Sequence, residues 1–265
     1  MTRGWSCLFY LLVFLTEVLL FGVLILSLVW VYLFRDGFAW NEDVAKQFNL
    51  HPVLMITGFI FLMGNAMLVY RLFRCCNKLA SKILHTFLYL LAVPCIVVAT
   101  IAVFDNHNLR NPPIPNLYSL HSWLGLVTMG LFALQVTKTF VVGFFSFWIL
   151  LCCDQGTSNF RANLLPIHST FGIITFMLAV ATAVSGYTEK AIFSLKSDYA
   201  QLVDEAWYIN AQGISLVALA ILMCFLLFSH TFSRRTSPVA FVEPPSSNNH
   251  YVMTQKSYYY REHDP

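Results

Sequence analysis

HPVLMITGFIFLMGNAMLVY, residues 51–70, carries no charged side chain across 20 positions and opens on a histidine. As a helix it would rise about 30 Å, the thickness of a bilayer's hydrocarbon core. Arg71 and Arg74 follow at once, the cationic flank expected where such a helix leaves the membrane. Outward from it, five further apolar stretches are long enough to span: about 7–33, 84–104, 120–147, 166–187 and 207–230. The first is too long for a signal peptide, and no small-residue cleavage site follows it. The whole chain is 58% hydrophobic and 11% charged, against about 25% charged in soluble domains. A scattered formal charge of +3 gives no basis for nucleic-acid binding. Backbone groups in lipid must be satisfied within each segment, so the expectation is an all-α integral membrane protein, a six-transmembrane-helix bundle over residues 1–232. The polar, proline-containing stretch 233–265 is expected to be a disordered tail.

Lys and Arg near the helix ends set the orientation. With the N-terminus cytoplasmic, the inner face holds Arg3, Arg71, Arg74, Lys78, Lys82, Arg161, Arg234 and Arg235. The outer loops hold Arg35, Lys46, Arg110, Lys190 and Lys196, so both termini are expected inside. Cysteines agree: Cys75, Cys76, Cys152 and Cys153 fall at the inner face, where disulfides do not form and palmitoylation could occur, and none falls in an outer loop.

Four histidines, His51, His85, His121 and His168, each sit just inside the start of one of helices 2–5. Alternating helix direction puts His51 and His121 at one depth near the outer face, and His85 and His168 at another near the inner face. An iron between each pair would have both axial positions filled, which suits electron transfer rather than oxygen activation. Two ligands per site are too few for structural zinc, and no Cys-x-x-Cys-His attaches a haem covalently. The competing reading is a haem-free transporter or proton relay using the same imidazoles. Glu17, mid-way along helix 1, has no role that the sequence shows.

The chain resembles the cytochrome b561 family in FNLHPVLMITGF (48–59), GNAMLVYRLFR (64–74), VFDNHN (103–108), NLYSLHSWLG (116–125), LPIHSTFG (165–172) and EKAIFSLK (189–196). The resemblance implies two b-type haems, one held by His51 and His121, the other by His85 and His168, with all four histidines as iron ligands. It implies an ascorbate-dependent transmembrane oxidoreductase that takes electrons from cytoplasmic ascorbate. The outer acceptor would be ferric iron or monodehydroascorbate, at the plasma membrane or an endosomal, lysosomal or vesicle membrane. By the same resemblance Lys78, Lys82 and Arg161 contact ascorbate, with Arg71 and Arg74 further round, and His107 and Tyr118 belong to the outer substrate pocket with Phe104 and Asn106. Family members are often homodimers, though no interface is legible in the sequence. Acidic residues in the outer loops (Asp36, Glu42, Asp43, Asp105, Asp198, Asp204 and Glu205) would tolerate cationic iron complexes.

Overall fold

The computed structural model describes residues 3–40, 42–73, 78–150 and 158–229, with the backbone alone at 3, 78, 139–150 and 158–162. Helix is the only regular structure among the described residues. Among them, six helices are long and apolar enough to cross a membrane: α1 Gly4–Phe34, α2 Val44–Leu72, α3 Leu79–Leu109, α4 Leu120–Lys138, α5 Asn163–Leu195 and α6 Asp204–Phe228. Helical backbone continues past α4 to Leu150 and begins before α5 at Ser158. Arg74, the two cysteine pairs and the whole tail lie outside the described residues.

The expected spans are all present, but most helices run longer. Hydropathy places the end of α3 near residue 104, whereas the helix continues to Leu109. Its last turn is polar because it has partners: Asn106 donates to the Val44 carbonyl, and Gln47 Nε2 lies 3.4 Å from Asp105 Oδ2. His107 is thus a helical residue, not a loop residue. Pro94 and Pro166 sit inside α3 and α5, where neighbouring helices can satisfy the freed carbonyls.

Three antiparallel pairs make up the bundle: α1 along α6, α2 along α3, and α4 along α5. The α2–α3 pair meets the α4–α5 pair chiefly where α2 touches α5. Close approach of α2 to α3 requires Gly58, since a Cβ there would lie 2.9 Å from Ile96 Cγ1 and 3.2 Å from the Ala92 carbonyl oxygen. A π-helical segment, Ile56–Leu62, interrupts α2 at this contact.

At one end of α1, Glu205 of α6 pairs with Arg35 and accepts Trp30 Nε1–H at 2.9 Å. The Arg35 guanidinium lies 5.3 Å from the Trp30 ring centre, and Phe34 packs on Tyr208 with centroids 5.5 Å apart. Deeper in, Ser27 Oγ donates to the Val23 carbonyl at 2.7 Å, so Tyr187 O–H donates to Ser27 Oγ at 2.8 Å. These contacts fasten α1 to α5 and α6. Glu17 Oε1 is buried with no hydrogen-bond partner, for which nothing in the structure gives a reason.

Glu205→Ala is expected to destabilise the purified protein by about 1–3 kcal/mol, because it orphans two partly buried donors. Glu205→Gln keeps an acceptor for Trp30 and should cost less. Thermal unfolding in detergent would show the order Ala, Gln, wild type from least to most stable; an alanine variant as stable as wild type would mean that the latch contributes nothing.

Candidate functional site

The four histidines meet in two facing pairs. His51 of α2 and His121 of α4 have ring centroids 6.1 Å apart, and so do His85 of α3 and His168 of α5. Each imidazole is also tied to the helix packed beside its own. His51 Nδ1 lies 3.1 Å from the Ala99 carbonyl oxygen of α3, and His85 Nδ1 lies 2.8 Å from that of Ala66 on α2. His121 Nδ1 lies 2.9 Å from the Thr182 carbonyl oxygen of α5. His168 Nδ1 lies 3.1 Å from Gln135 Nε2 on α4, which also donates to the His168 carbonyl at 3.0 Å. A carbonyl oxygen only accepts, so the first three rings carry their proton on Nδ1. Their Nε2 lone pairs remain as ligands.

These ties are reciprocal: α2 and α3 exchange one at each end, and so do α4 and α5. They fix the depth of the two levels. From His85 to Ala99, from His121 to Gln135 and from His168 to Thr182 is 14 residues each, or about 21 Å of helix. From His51 to Ala66 is 15. The extra residue falls in the helix that contains the π segment, whose wider turns absorb one residue without lengthening the helix.

Between the two helix pairs, at the His51 end, lies a cavity of about 420 Å³ whose lining includes His51, His121, Phe59, His107, Tyr118 and Gly186. Side chains close the gap at mid-depth. Phe59 packs on Phe132 at 5.1 Å, Phe132 stacks on Tyr89 at 6.0 Å and 23°, and Tyr89 packs on His85 at 4.9 Å.

The residues fit the group that the resemblance implies. Metal–imidazole bonds of about 2.0 Å, with roughly 1.1 Å from nitrogen to ring centre, place two axial imidazoles about 6.2 Å apart, which matches both pairs. Three of the rings donate Nδ1–H to a carbonyl of a neighbouring helix, the arrangement that orients metal-ligating histidines, while His168 Nδ1 faces the amide nitrogen of Gln135. Among the described residues no three His, Cys, Asp or Glu side chains gather, so a metal held by protein atoms alone finds no cage. A group that brings its own metal ligands and sits between two imidazoles would need none.

The other expected site residues divide. Lys82 is exposed on the first turns of α3, one turn from His85. The side chains of Lys78 and Arg161 lie outside the described residues. Arg71 donates to the carbonyls of Leu227 and Ser229, bracing the end of α6. His107 and Tyr118 line the cavity, with Tyr118 just before α4. The outer-loop acids are largely committed. Glu205 holds Arg35 and Trp30, and Asp43 Oδ1 accepts from the N–H groups of Ala45 and Lys46 at 2.9 and 3.2 Å. Glu42 accepts its own N–H and that of Trp40, which hold its carboxyl below the usual range.

One residue of the site was not singled out from sequence. Gly186 lies under the His121 ring, where a Cβ would come within 2.6 Å of Cε1 and 2.8 Å of Nδ1. Its only signal is a glycine 18 residues beyond His168 on the same helix, four beyond the carbonyl that holds His121. Gly186→Ala is expected to push the His121 ring off its seat and lower haem content, since overpacking costs about 1–3 kcal/mol. Gly130→Ala, where nothing lies within 4 Å of the added carbon, serves as the control and should retain full content. Equal haem content in both variants would mean that the ring tolerates displacement.

The family model described as "Eukaryotic cytochrome b561" matches residues 50–194. The plasma membrane ascorbate-dependent reductase CYBRD1 of Xenopus tropicalis is 41% identical over 228 residues, covering 84% of this chain and 77% of that protein. The human lysosomal membrane ascorbate-dependent ferrireductase CYB561A3 is 38% identical over 219 residues, covering 80% of this chain and 85% of that protein. Its counterpart from Danio rerio is 37% identical over 234 residues, covering 85% and 90%. The matched region begins within α2, just before His51, and runs to the last residues of α5, taking in all four paired histidines, and the chain is a member of the eukaryotic cytochrome b561 family.

Proposed function

We propose that this chain is an ascorbate-dependent transmembrane oxidoreductase that moves single electrons from cytoplasmic ascorbate to an acceptor across the membrane, through two b haems. The observation that carries the reading is the pair of facing imidazole sets, both 6.1 Å across, at two depths of one bundle. Haem held between each pair of imidazoles would supply reversible one-electron chemistry. The residues do the rest. Ala99, Ala66 and Thr182 hold three of the imidazoles as neutral Nε2 donors, and Gln135 holds the fourth ring in place.

The His85 end faces the cytoplasm, as does each terminus, in keeping with the Lys and Arg bias of the flanks. There Lys82, with Lys78 and Arg161, forms the seat for ascorbate, a monoanion at neutral pH. Arg71 adds charge beside it while bracing α6. At the His51 end, His107 and Tyr118 receive the acceptor. The name ferrireductase carried by the lysosomal relatives favours ferric iron as the acceptor, with monodehydroascorbate second, at a plasma or lysosomal membrane, and a homodimer is compatible with either. A haem-free proton relay is disfavoured by the phenyl rings of Phe59 and Phe132 between the levels, which offer no hydrogen-bonding groups.

The absorption spectrum of purified protein tests the reading first, since two bis-histidine haems give a reducible low-spin spectrum and a transporter gives none. Pairing is tested by substitution. His51→Ala and His121→Ala should remove one and the same haem, and His85→Ala and His168→Ala the other. Loss of a common centre from His51→Ala and His85→Ala would contradict the geometry.

Stopped-flow mixing with ascorbate first and acceptor second separates the two ends. Neutral substitutions of Lys78, Lys82 or Arg161 should slow the ascorbate phase. Losing a charge-assisted hydrogen bond costs about 1.5–3 kcal/mol, roughly 10- to 150-fold. His107→Ala and Tyr118→Phe should slow the acceptor phase. If His107→Ala slowed the ascorbate phase instead, the orientation proposed here would be inverted.

A further inference from the structure

His107 stands in a short chain of amides. Its Nδ1 lies 3.0 Å from Asn116 Oδ1, and Asn116 Nδ2 donates to Asn108 Oδ1 at 2.8 Å. An amide oxygen only accepts, so Nδ1 carries the proton and the neutral ring keeps its lone pair on Nε2. The chain is anchored at both ends. Asn108 follows His107 within the last turn of α3, and Asn116 stands just before α4, while Ile114 N–H donates to the His107 carbonyl at 3.0 Å and folds the connection back. His107 and Asn116 both line the cavity that His51 and His121 share.

A histidine in water exchanges tautomers freely and turns about χ2 between two broad wells. Electron delivery to a metal complex or an organic radical needs one defined nitrogen at the acceptor. We propose that Asn116 is a positioning residue for the acceptor step: held by Asn108, it fixes His107 as the Nδ1–H tautomer and leaves Nε2 as the ring's lone-pair donor in the cavity. The assignment rests on the reading that the acceptor is served at His107. Asn116 touches no acceptor itself; it acts through the ring. The same logic operates deeper in the bundle, where the Thr182 carbonyl sets the tautomer of His121. There the partner is backbone, and here it is a side chain that can be exchanged by substitution.

The test is the acceptor phase of the haem-loaded, ascorbate-reduced protein mixed with ferric citrate. Variants are Asn116→Leu, Asn116→Asp, His107→Ala and the double variant His107→Ala/Asn116→Leu, each with both haems verified spectrally. Removing the partner that orients a ligating histidine typically costs 10- to 100-fold, so Asn116→Leu should slow the phase by about tenfold or more. Asn116→Asp keeps an oxygen to accept Nδ1–H and should lie nearer wild type than the leucine variant. In the His107→Ala background, Asn116→Leu should add less than about a twofold effect, because the two act as one unit. A wild-type rate in Asn116→Leu overturns the positioning role. So does an aspartate variant as slow as the leucine one, or a further slowing in the double variant, since either makes Asn116 a structural part of the connection. A wild-type rate in His107→Ala overturns the acceptor site itself, and the positioning role with it.

Discussion

The bundle depends on hydrogen bonds that cross from an imidazole Nδ1 to the carbonyl of a neighbouring helix. In hydrocarbon each helix carbonyl already accepts one N–H within its own helix and keeps a second lone pair. His51, His85 and His121 use that lone pair on Ala99, Ala66 and Thr182. The bond satisfies a polar group that lipid would otherwise leave orphaned, at a cost of several kcal/mol. It also turns Nε2 away from the partner helix and toward the gap between helix pairs. One interaction thus packs α2 on α3 and α4 on α5, sets the tautomer, and aims the ligand. It demands small residues at the contact: Ala66 and Ala99 are both fully buried, and Gly186 lies under the third ring.

The spacing follows from the same bonds. Each of helices α2–α5 carries a histidine near its start and the acceptor or amide partner for its neighbour's histidine near its end. Antiparallel packing then makes the interval between them common to the bundle, 14 residues in three helices. In α2 the interval is 15, in the helix that contains the Ile56–Leu62 π segment. The π turn keeps both of its ends in register while placing Phe59 between the levels, where it packs on Phe132. A straight α-helix with the same residues would rotate one of the two ends by about 100° out of its contact.

Helix number, the depth of each histidine and the pairing across helices were legible because they depend on composition and direction alone. Lipid excludes charge, so the spans stand out, and alternation of direction sorts His51 with His121 and His85 with His168. The carbonyl partners were not legible, because every residue has a carbonyl and no side chain marks the one that is used. Helix ends were misplaced for a related reason. Asp105, Asn106 and His107 read as loop by hydropathy, yet their hydrogen bonds to Gln47, Val44 and Asn116 let α3 continue through them. Arg71 likewise read as part of a substrate seat, while its guanidinium also braces the carbonyl end of α6, a contact 156 residues away in sequence.

Charge at the His51 end shows how misleading a count can be. Seven acids in the outer loops appear to favour cationic iron complexes. Glu205, however, is neutralised by Arg35; Asp43 caps the first turn of α2; Glu42 accepts the Trp40 N–H; and Asp105 stands beside Gln47. A carboxylate already engaged by a guanidinium or by backbone N–H groups projects little field, and screening at about 8–10 Å removes most of the rest at physiological salt. On the proposed reading, recognition of an acceptor there would rest on geometry at short range, on the shape of a cavity of about 420 Å³ and on an imidazole nitrogen held in one tautomer at its wall. Bonds of that kind lose their effect once the ring moves, so on that reading the amides behind His107 would bear on the acceptor more directly than the engaged acids around it.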